Sequence, residues 1–282
     1  MSRRITAVLS GGGVKAAAHV GAIRALREAG LRPNRYVATS MGAVFAALLA
    51  EGLEPEAVFE KVRGVKRRDV ARLRAAGLVQ GLWAGSLMHP EPLQRTIANL
   101  ISAVSFAELA LPLTVTAVDL DSSELVVFGD GGEDVPLREA VFASCALPPW
   151  YPPVVVGGRR LADGGLRGVL PLPVAARFEA DLVVAMDTGP GTDAAPSSGR
   201  LAPPPFVRSF TEVMHVMMSA STEQAVALWR ATPGNPRLLY IRPETERGAT
   251  FALGQFGRYE QAGYDAASAA ISGDPAIQHP QS

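Results

Sequence analysis

Two short segments of the chain carry residue types that could do chemistry. The first is Ser10-Gly11-Gly12-Gly13-Val14-Lys15. Three consecutive glycines let the backbone take conformations closed to other residues, so their N–H groups can converge on one cavity at a helix N-terminus. Such a cavity holds negative charge, either a phosphate or a developing oxyanion. The segment is not a P-loop, because Lys15 is followed by Ala16 and not by Ser or Thr. A dinucleotide fingerprint fits Gly11 and Gly13, with Ala16 as an allowed variant of the third glycine. Thr39 and Ser40, however, stand where an acidic ribose ligand is expected. The second segment is Ala38-Thr39-Ser40-Met41-Gly42. A serine on a sharp strand-to-helix turn projects its hydroxyl outward, and both flanks must be small because the turn packs backbone against backbone. Gly42 supplies one flank and Ala38 the other. By itself, a serine so placed is more often a helix N-cap than a nucleophile.

A serine hydroxyl needs a base. The histidines are His19, His89, His215 and His279. His215 lies within a helical run and His279 sits beside a proline near the end, so neither occupies the strand-end loop that a Ser-His-Asp arrangement uses. His19, in the first expected helix, reads as a packing or hydrogen-bonding residue. An aspartate is the other choice. Asp163 ends a short expected strand, and Gly164 and Gly165 let the chain turn sharply around it. Out of context, Asp-Gly-Gly is an ordinary turn. Cys145, the one cysteine, sits at an apolar helix end and reads as an inert core thiol. No Cys/His cluster has metal-ligand spacing, so no metal and no cofactor is expected.

Apolar runs and breakers supply the elements that must position these groups. Residues 5–9 read as a buried strand, 14–29 as an alanine-rich helix stopped by Gly30, 36–39 as a strand and 41–49 as a helix. Strand, glycine turn, helix, strand, tight turn, helix indicates a parallel sheet with crossover helices. A basic helix is expected over 56–76; it reads as a solvated face, or alternatively as a patch for anionic lipid head groups. Further on, 91–101 reads as a helix, 113–119 and 125–129 as a hairpin, 137–145 as a helix, 160–162 as a strand leading into Asp163, and 181–187 as a buried strand. The Gly-, Pro- and Ser-rich stretch 189–205 is the candidate mobile loop, with 203–205 as a hinge, followed by a long helix at 206–231, a strand at 238–242 and a helix at 259–271. On the long helix Met214, Met217 and Met218 lie with Phe210 and Val213; core packing and the wall of an acyl-chain channel both fit them. Trp83 and Trp150 are candidates for a lipid interface.

In combination and order, these motifs resemble the patatin-like phospholipase family: a triple-glycine loop with basic Lys15, a serine elbow ending the next strand, and then Asp-Gly-Gly. Ala143-Ser144-Cys145-Ala146-Leu147-Pro148 leading to Tyr151-Pro152-Pro153-Val154 is similar to that family's segment ahead of its aspartate, and His19 and Gly21 sit where its first helix carries them. The resemblance runs from about Ile5 to Asp187. It implies a three-layer α/β/α fold with a mostly parallel central sheet. It also implies a Ser–Asp dyad without histidine: Ser40 as nucleophile, Asp163 as base, and the N–H groups of Gly11, Gly12 and Gly13 as oxyanion hole. Lys15 stands where the family has Arg or Lys and either supports the loop or meets a phosphate head group. Ala38 and Ala16 replace family glycines; a positive φ at either would cost on the order of 1 kcal/mol.

One hydrolase domain over 1–273 and a tail over 274–282 are expected from the length of 282 residues and the lack of a convincing linker. With 27 basic and 27 acidic residues the net charge is zero, which argues against a nucleic-acid partner held by a global positive field. A lone cysteine and the absence of a long apolar segment make a cytoplasmic protein the expectation, with peripheral contact at the inner membrane face left open. The sequence says nothing of oligomeric state. The expected activity is hydrolysis of a lipid ester. A non-catalytic lipid- or partner-binding module, and a phosphate or nucleotide binder, are the alternatives.

Overall fold

A computed structural model of the chain describes residues 3–74, 86–189, 205–245 and 253–278. In chain order these form β1 (Ile5–Leu9), a 3₁₀ turn (Gly13–Ala17), α1 (Ala18–Glu28), β2 (Arg35–Thr39), α2 (Met41–Ala50), α3 (Pro55–Arg63), α4 (Arg67–Val70) and α5 (Pro90–Leu100). Then come β3 (Leu113–Asp119), β4 (Leu125–Gly129), α6 (Leu137–Ser144), β5 (Val154–Val156), β6 (Arg159–Asp163), α7 (Leu172–Ala175) and β7 (Leu182–Met186). The chain closes with α8 (Pro205–Ala231), β8 (Arg237–Ile241), α9 (Phe256–Ser272) and α10 (Pro275–Gln278), the last within the stretch expected as a tail.

Side-chain alternation decides the layering. Along β1, Ile5, Ala7 and Leu9 enter one hydrophobic core and Val8 enters the other. β7 divides in the same way, Leu182, Val184 and Met186 against Val183 and Ala185. Strands buried on both faces must lie between two helical layers. α1, α2, α5, α6 and α9 contribute to the first core, and α7 and α8 to the second through Leu172, Val174, Val226 and Trp229. The result is the three-layer α/β/α arrangement. Its sheet runs β5-β6-β3-β2-β1-β7-β8, with β4 also on β3. β3, β2, β1, β7 and β8 are parallel neighbours, and β4, β5 and β6 extend the sheet antiparallel.

The register around β3 matters most for function. β2 pairs with β3 as far as Thr39 opposite Thr116. The next β3 residue, Ala117, faces Asp163 of β6. β4 occupies the other edge there, with Val126 opposite Ala117. A single edge of β3 therefore aligns the ends of two strands far apart in sequence, one leading into Ser40 and the other ending at Asp163.

Three expectations need correction. The helix expected over 56–76 is two helices. α3 ends at Gly64; Lys66 is extended, and its N–H donates to the Asp69 carboxylate at 2.9 Å, which starts α4. Ala71 is extended again, and Leu73 bridges Met88. Pairing with a segment further along the chain holds this stretch open, and residues 75 and 76 lie outside the described residues. The helix expected from 14 starts instead as a 3₁₀ turn, with α1 beginning at Ala18. β5 was not expected as a strand, although its signal was present: Gly157 and Gly158, both at positive φ (57° and 77°), link it to β6 in a two-residue hairpin. The loop expected over 189–205 falls mostly, and Trp83 and His279 wholly, outside the described residues.

Candidate active site

Ser40 follows directly on β2 and precedes the first turn of α2. Its backbone takes φ 55°, ψ −136°, a conformation that costs a non-glycine residue about 1–3 kcal/mol and persists only when its surroundings over-determine it. Three contacts do so. The Ser40 N–H donates to Ser144 Oγ at 2.8 Å, the Ser40 carbonyl accepts from Ala43 N at 2.8 Å, and Gly42 lies against the end of β1. A Cβ on Gly42 would overlap the carbonyl oxygens of Leu9 and Ser10, so the second flank of the turn has no room for a side chain. Ala38 and Ala16 tolerate their methyl groups because neither has positive φ: among described non-glycine residues only Ser40 and Ser123 do.

The half-buried Ser40 hydroxyl donates to Asp163 Oδ2 at 2.6 Å. Asp163 Oδ1 accepts from Gly165 N at 2.8 Å, and the Asp163 N–H donates to the Ala146 carbonyl at 3.1 Å. The carboxyl is thus fixed at both oxygens, and Gly164 makes the turn where a side chain would strike the Thr116 carbonyl. Asp163 is 2% exposed. Burial pushes its pKa up to about 7, while the Ser40 hydroxyl and the Gly165 amide pull the other way without cancelling it.

The glycine loop lies beside this pair. A Cβ on Gly11 would stand 2.9 Å from that of Ser40. Gly13 has φ 60°, which glycine adopts without strain. The expectation that all three glycines offer free donors is corrected at Gly11, whose N–H donates to the Val169 carbonyl at 3.1 Å. Gly12 and Gly13 make no such bond among the described residues. Lys15 is buried, and its Nζ donates to the Gly189 carbonyl at 3.1 Å. Gly189 in turn donates to Asp187 Oδ1 at 2.9 Å, and Asp187 Oδ2 accepts from Tyr240 Oη at 2.7 Å.

Beneath the loop lies a polar cluster whose connections the sequence did not reveal. The Thr188 N–H donates to Ser10 Oγ at 2.7 Å, and His19 Nε2–H donates to the Ser10 carbonyl at 2.9 Å. Burial lowers the His19 pKa to about 4, so the ring is neutral and braces the loop. His215 lines the cavity from α8. Cys145 is buried, and desolvation, followed by the nearby Asp163, raises its thiol well above the ordinary range, in keeping with an inert thiol.

Ser40, Asp163 and the three glycines line one cleft, with about 1470 Å³ of empty space when the open solvent at its mouth is included. Its walls are largely apolar, with Phe45 from α2, Ile97 and Leu100 from α5, and Phe210, Met214 and Met218 from α8. Met214 and Met218 thus form cavity wall, whereas Met217 is 61% exposed. Trp150 also lines the cleft. Among the described residues no group of three or more His, Cys, Asp or Glu is placed to share a metal ion.

A strained serine elbow bonded to a buried carboxyl beside a glycine loop, on the central sheet of a three-layer fold, defines a class. Residues 7–176 match the patatin-like phospholipase family, and the chain belongs to it. Among particular relatives, an uncharacterized NTE family protein of Mycobacterium tuberculosis is 33% identical over 201 residues, covering 70% of this chain and 53% of its own length. The chain spans about half the length of such curated relatives. Lysophospholipase NTE1 of Mycosarcoma maydis is 25% identical over 287 residues, 94% of this chain and 14% of that protein. Human GIVD cytosolic phospholipase A2 shares the fold, with TM-score 0.50 and 11% identity, covering 98% of this chain and 62% of that one.

Proposed function

We propose that the chain is a serine acyl-ester hydrolase acting on phospholipid or lysophospholipid esters through a Ser40–Asp163 dyad. The observation that carries this reading is the 2.6 Å bond from the Ser40 hydroxyl to a buried carboxyl with a pKa of about 7. A base works best when its pKa lies near the working pH. Asp163 takes the hydroxyl proton as Ser40 Oγ bonds to the ester carbonyl carbon. The carbonyl oxygen gains the negative charge and meets the Gly12 and Gly13 amides, which stabilise it without reorganising. Collapse breaks the ester C–O bond, and the leaving alcohol takes the proton from Asp163. Water then attacks the acyl-enzyme with Asp163 again as base, releasing the fatty acid and restoring Ser40.

The apolar cleft suits an acyl chain. Family membership and the named activity of the fungal lysophospholipase favour a lipid ester over a small soluble one. The test is hydrolysis of a p-nitrophenyl ester and of lysophosphatidylcholine by purified protein. Wild type turns both over, Ser40→Ala loses about 10⁴-fold or more in kcat, and Asp163→Asn loses roughly 10²–10⁴-fold. Unchanged turnover in either variant would overturn the dyad.

A further inference from the structure

Two surface features share residues with the cleft. The first is the face of α8. Val213, Val216 and Met217 are 58%, 70% and 61% exposed, while Phe210, one turn earlier, is 39% exposed and also lines the cleft. Phe210 therefore stands at the mouth, and the apolar surface of the cavity continues outward along the helix. Apolar side chains so exposed and contiguous mark a site of contact. The second feature is a groove between α3–α4 and α5, lined by Lys61, Arg68 and Arg95 against a single carboxylate, Asp69. Arg68 Nε stands 3.7 Å from Asp69 Oδ1, so the one carboxylate of the groove is already paired; Lys61 Nζ donates to the neutral Leu100 carbonyl, which leaves its charge uncompensated, and Arg95 makes no ion pair among the described residues. Val65, Thr96 and Leu100 line both this groove and the cleft.

We infer that the exposed α8 face and the basic α3–α4–α5 groove together form a docking surface for an anionic bilayer, set around the mouth of the cleft. The charge names the occupant. An apolar protein partner would leave Lys61 and Arg95 unmatched, whereas an anionic lipid surface accepts cations at its head groups and apolar side chains below them. Docked in this way, the protein meets an acyl chain at the apolar mouth without exposing that chain to water. No described helix is long and apolar enough to cross a membrane, so contact through this surface is peripheral. The inference rests on the lipid reading of the cleft, but it concerns binding and not turnover.

The test is flotation of Ser40→Ala protein with phosphatidylcholine vesicles, with and without phosphatidylglycerol. Binding is expected to favour the anionic vesicles and to weaken with salt. Arg68→Gln/Arg95→Gln should weaken it about thirtyfold, from roughly fivefold per cation near the surface. Val213→Ser/Val216→Ser/Met217→Ser should weaken it about tenfold or more. Both sets lie outside the cleft lining, so on a wild-type background each should leave p-nitrophenyl ester hydrolysis and Tm near wild type. No preference for anionic vesicles, or unchanged binding in either variant, would overturn the inference. So would a dimer that the α8 variant converts to monomer while vesicle binding persists, since the face would then be an interface between copies. Vesicle binding without esterase activity in wild type would sink the dyad and leave the docking surface standing.

Discussion

At the scale of single residues, the site depends on side chains that hold Ser40 as much as on Asp163. Ser144 is fully buried and its hydroxyl accepts the Ser40 N–H, tying the Ser40 backbone into an otherwise unfavourable conformation. Ser144→Ala should lower kcat roughly ten- to hundredfold with KM little changed, because small displacements of a reacting atom are costly. A stopped assay on the p-nitrophenyl ester reads this directly, and the melting temperature should fall only by what one buried hydrogen bond contributes, about 1 kcal/mol. The tight turns at Ser40 and Asp163 were legible in the sequence, from a serine between small residues and an aspartate before two glycines, but only the order of the motifs joined the two residues into one candidate site. Ser144 was quoted only as part of a motif. Its role depends on a contact across 104 positions, which no local spacing encodes. The free amide at Gly11 was misjudged for the same reason, since its partner Val169 is just as remote.

At the scale of elements, α1 and α9 approach closely enough to exclude side chains. A Cβ on Gly21 would overlap the Glu260 carbonyl, and one on Gly263 the Ala18 carbonyl. Glycine inside a helix costs about 1 kcal/mol relative to alanine, so two of them at one crossing record the close approach. Gly21→Val should force the helices apart and lower stability by about 1–3 kcal/mol. Because Phe256 at the start of α9 lines the cleft, KM for a long-chain ester should also rise. Thermal melts and kinetics on short- and long-chain esters separate the two effects. Most strands and helices were readable from apolar period and breakers. The break between α3 and α4 was not, because an extended Lys66 held by Asp69 and a bridge from Leu73 to Met88 override local propensity.

At the scale of the whole molecule, two buried groups make opposite demands on pH. Asp163 has its folded pKa raised to about 7 from an unfolded value near 4. The native state therefore holds a proton that the unfolded chain has lost, and this contribution to stability fades as pH rises from about 4 through 7. His19 has its folded pKa lowered to about 4 from about 6.5. Its contribution is present above about 6.5 and is lost as pH falls towards 4. The two offset one another across most of that window. Asp163→Asn should thus be increasingly more stable than wild type as pH rises from about 4 to 7, and its own stability should fall on acidification between about 6.5 and 4. Melts of both proteins across this range check the prediction; a difference independent of pH would contradict it. The sequence places His19 shortly after the glycine loop, and the family resemblance implies that Asp163 meets it. It could not assign their ionisation, which follows from complete burial within a fold assembled from distant segments.

The central claim is that Ser40 is a nucleophile activated by Asp163. Its most direct test is the rate of adduct formation with a fluorophosphonate, mapped to a peptide and followed against pH. The adduct should fall on Ser40, its rate should rise with pH through about 7 as Asp163 ionises, and Asp163→Asn should remove both the rate and the pH dependence. An adduct elsewhere, or one on Ser40 forming equally fast in Asp163→Asn, would contradict the account.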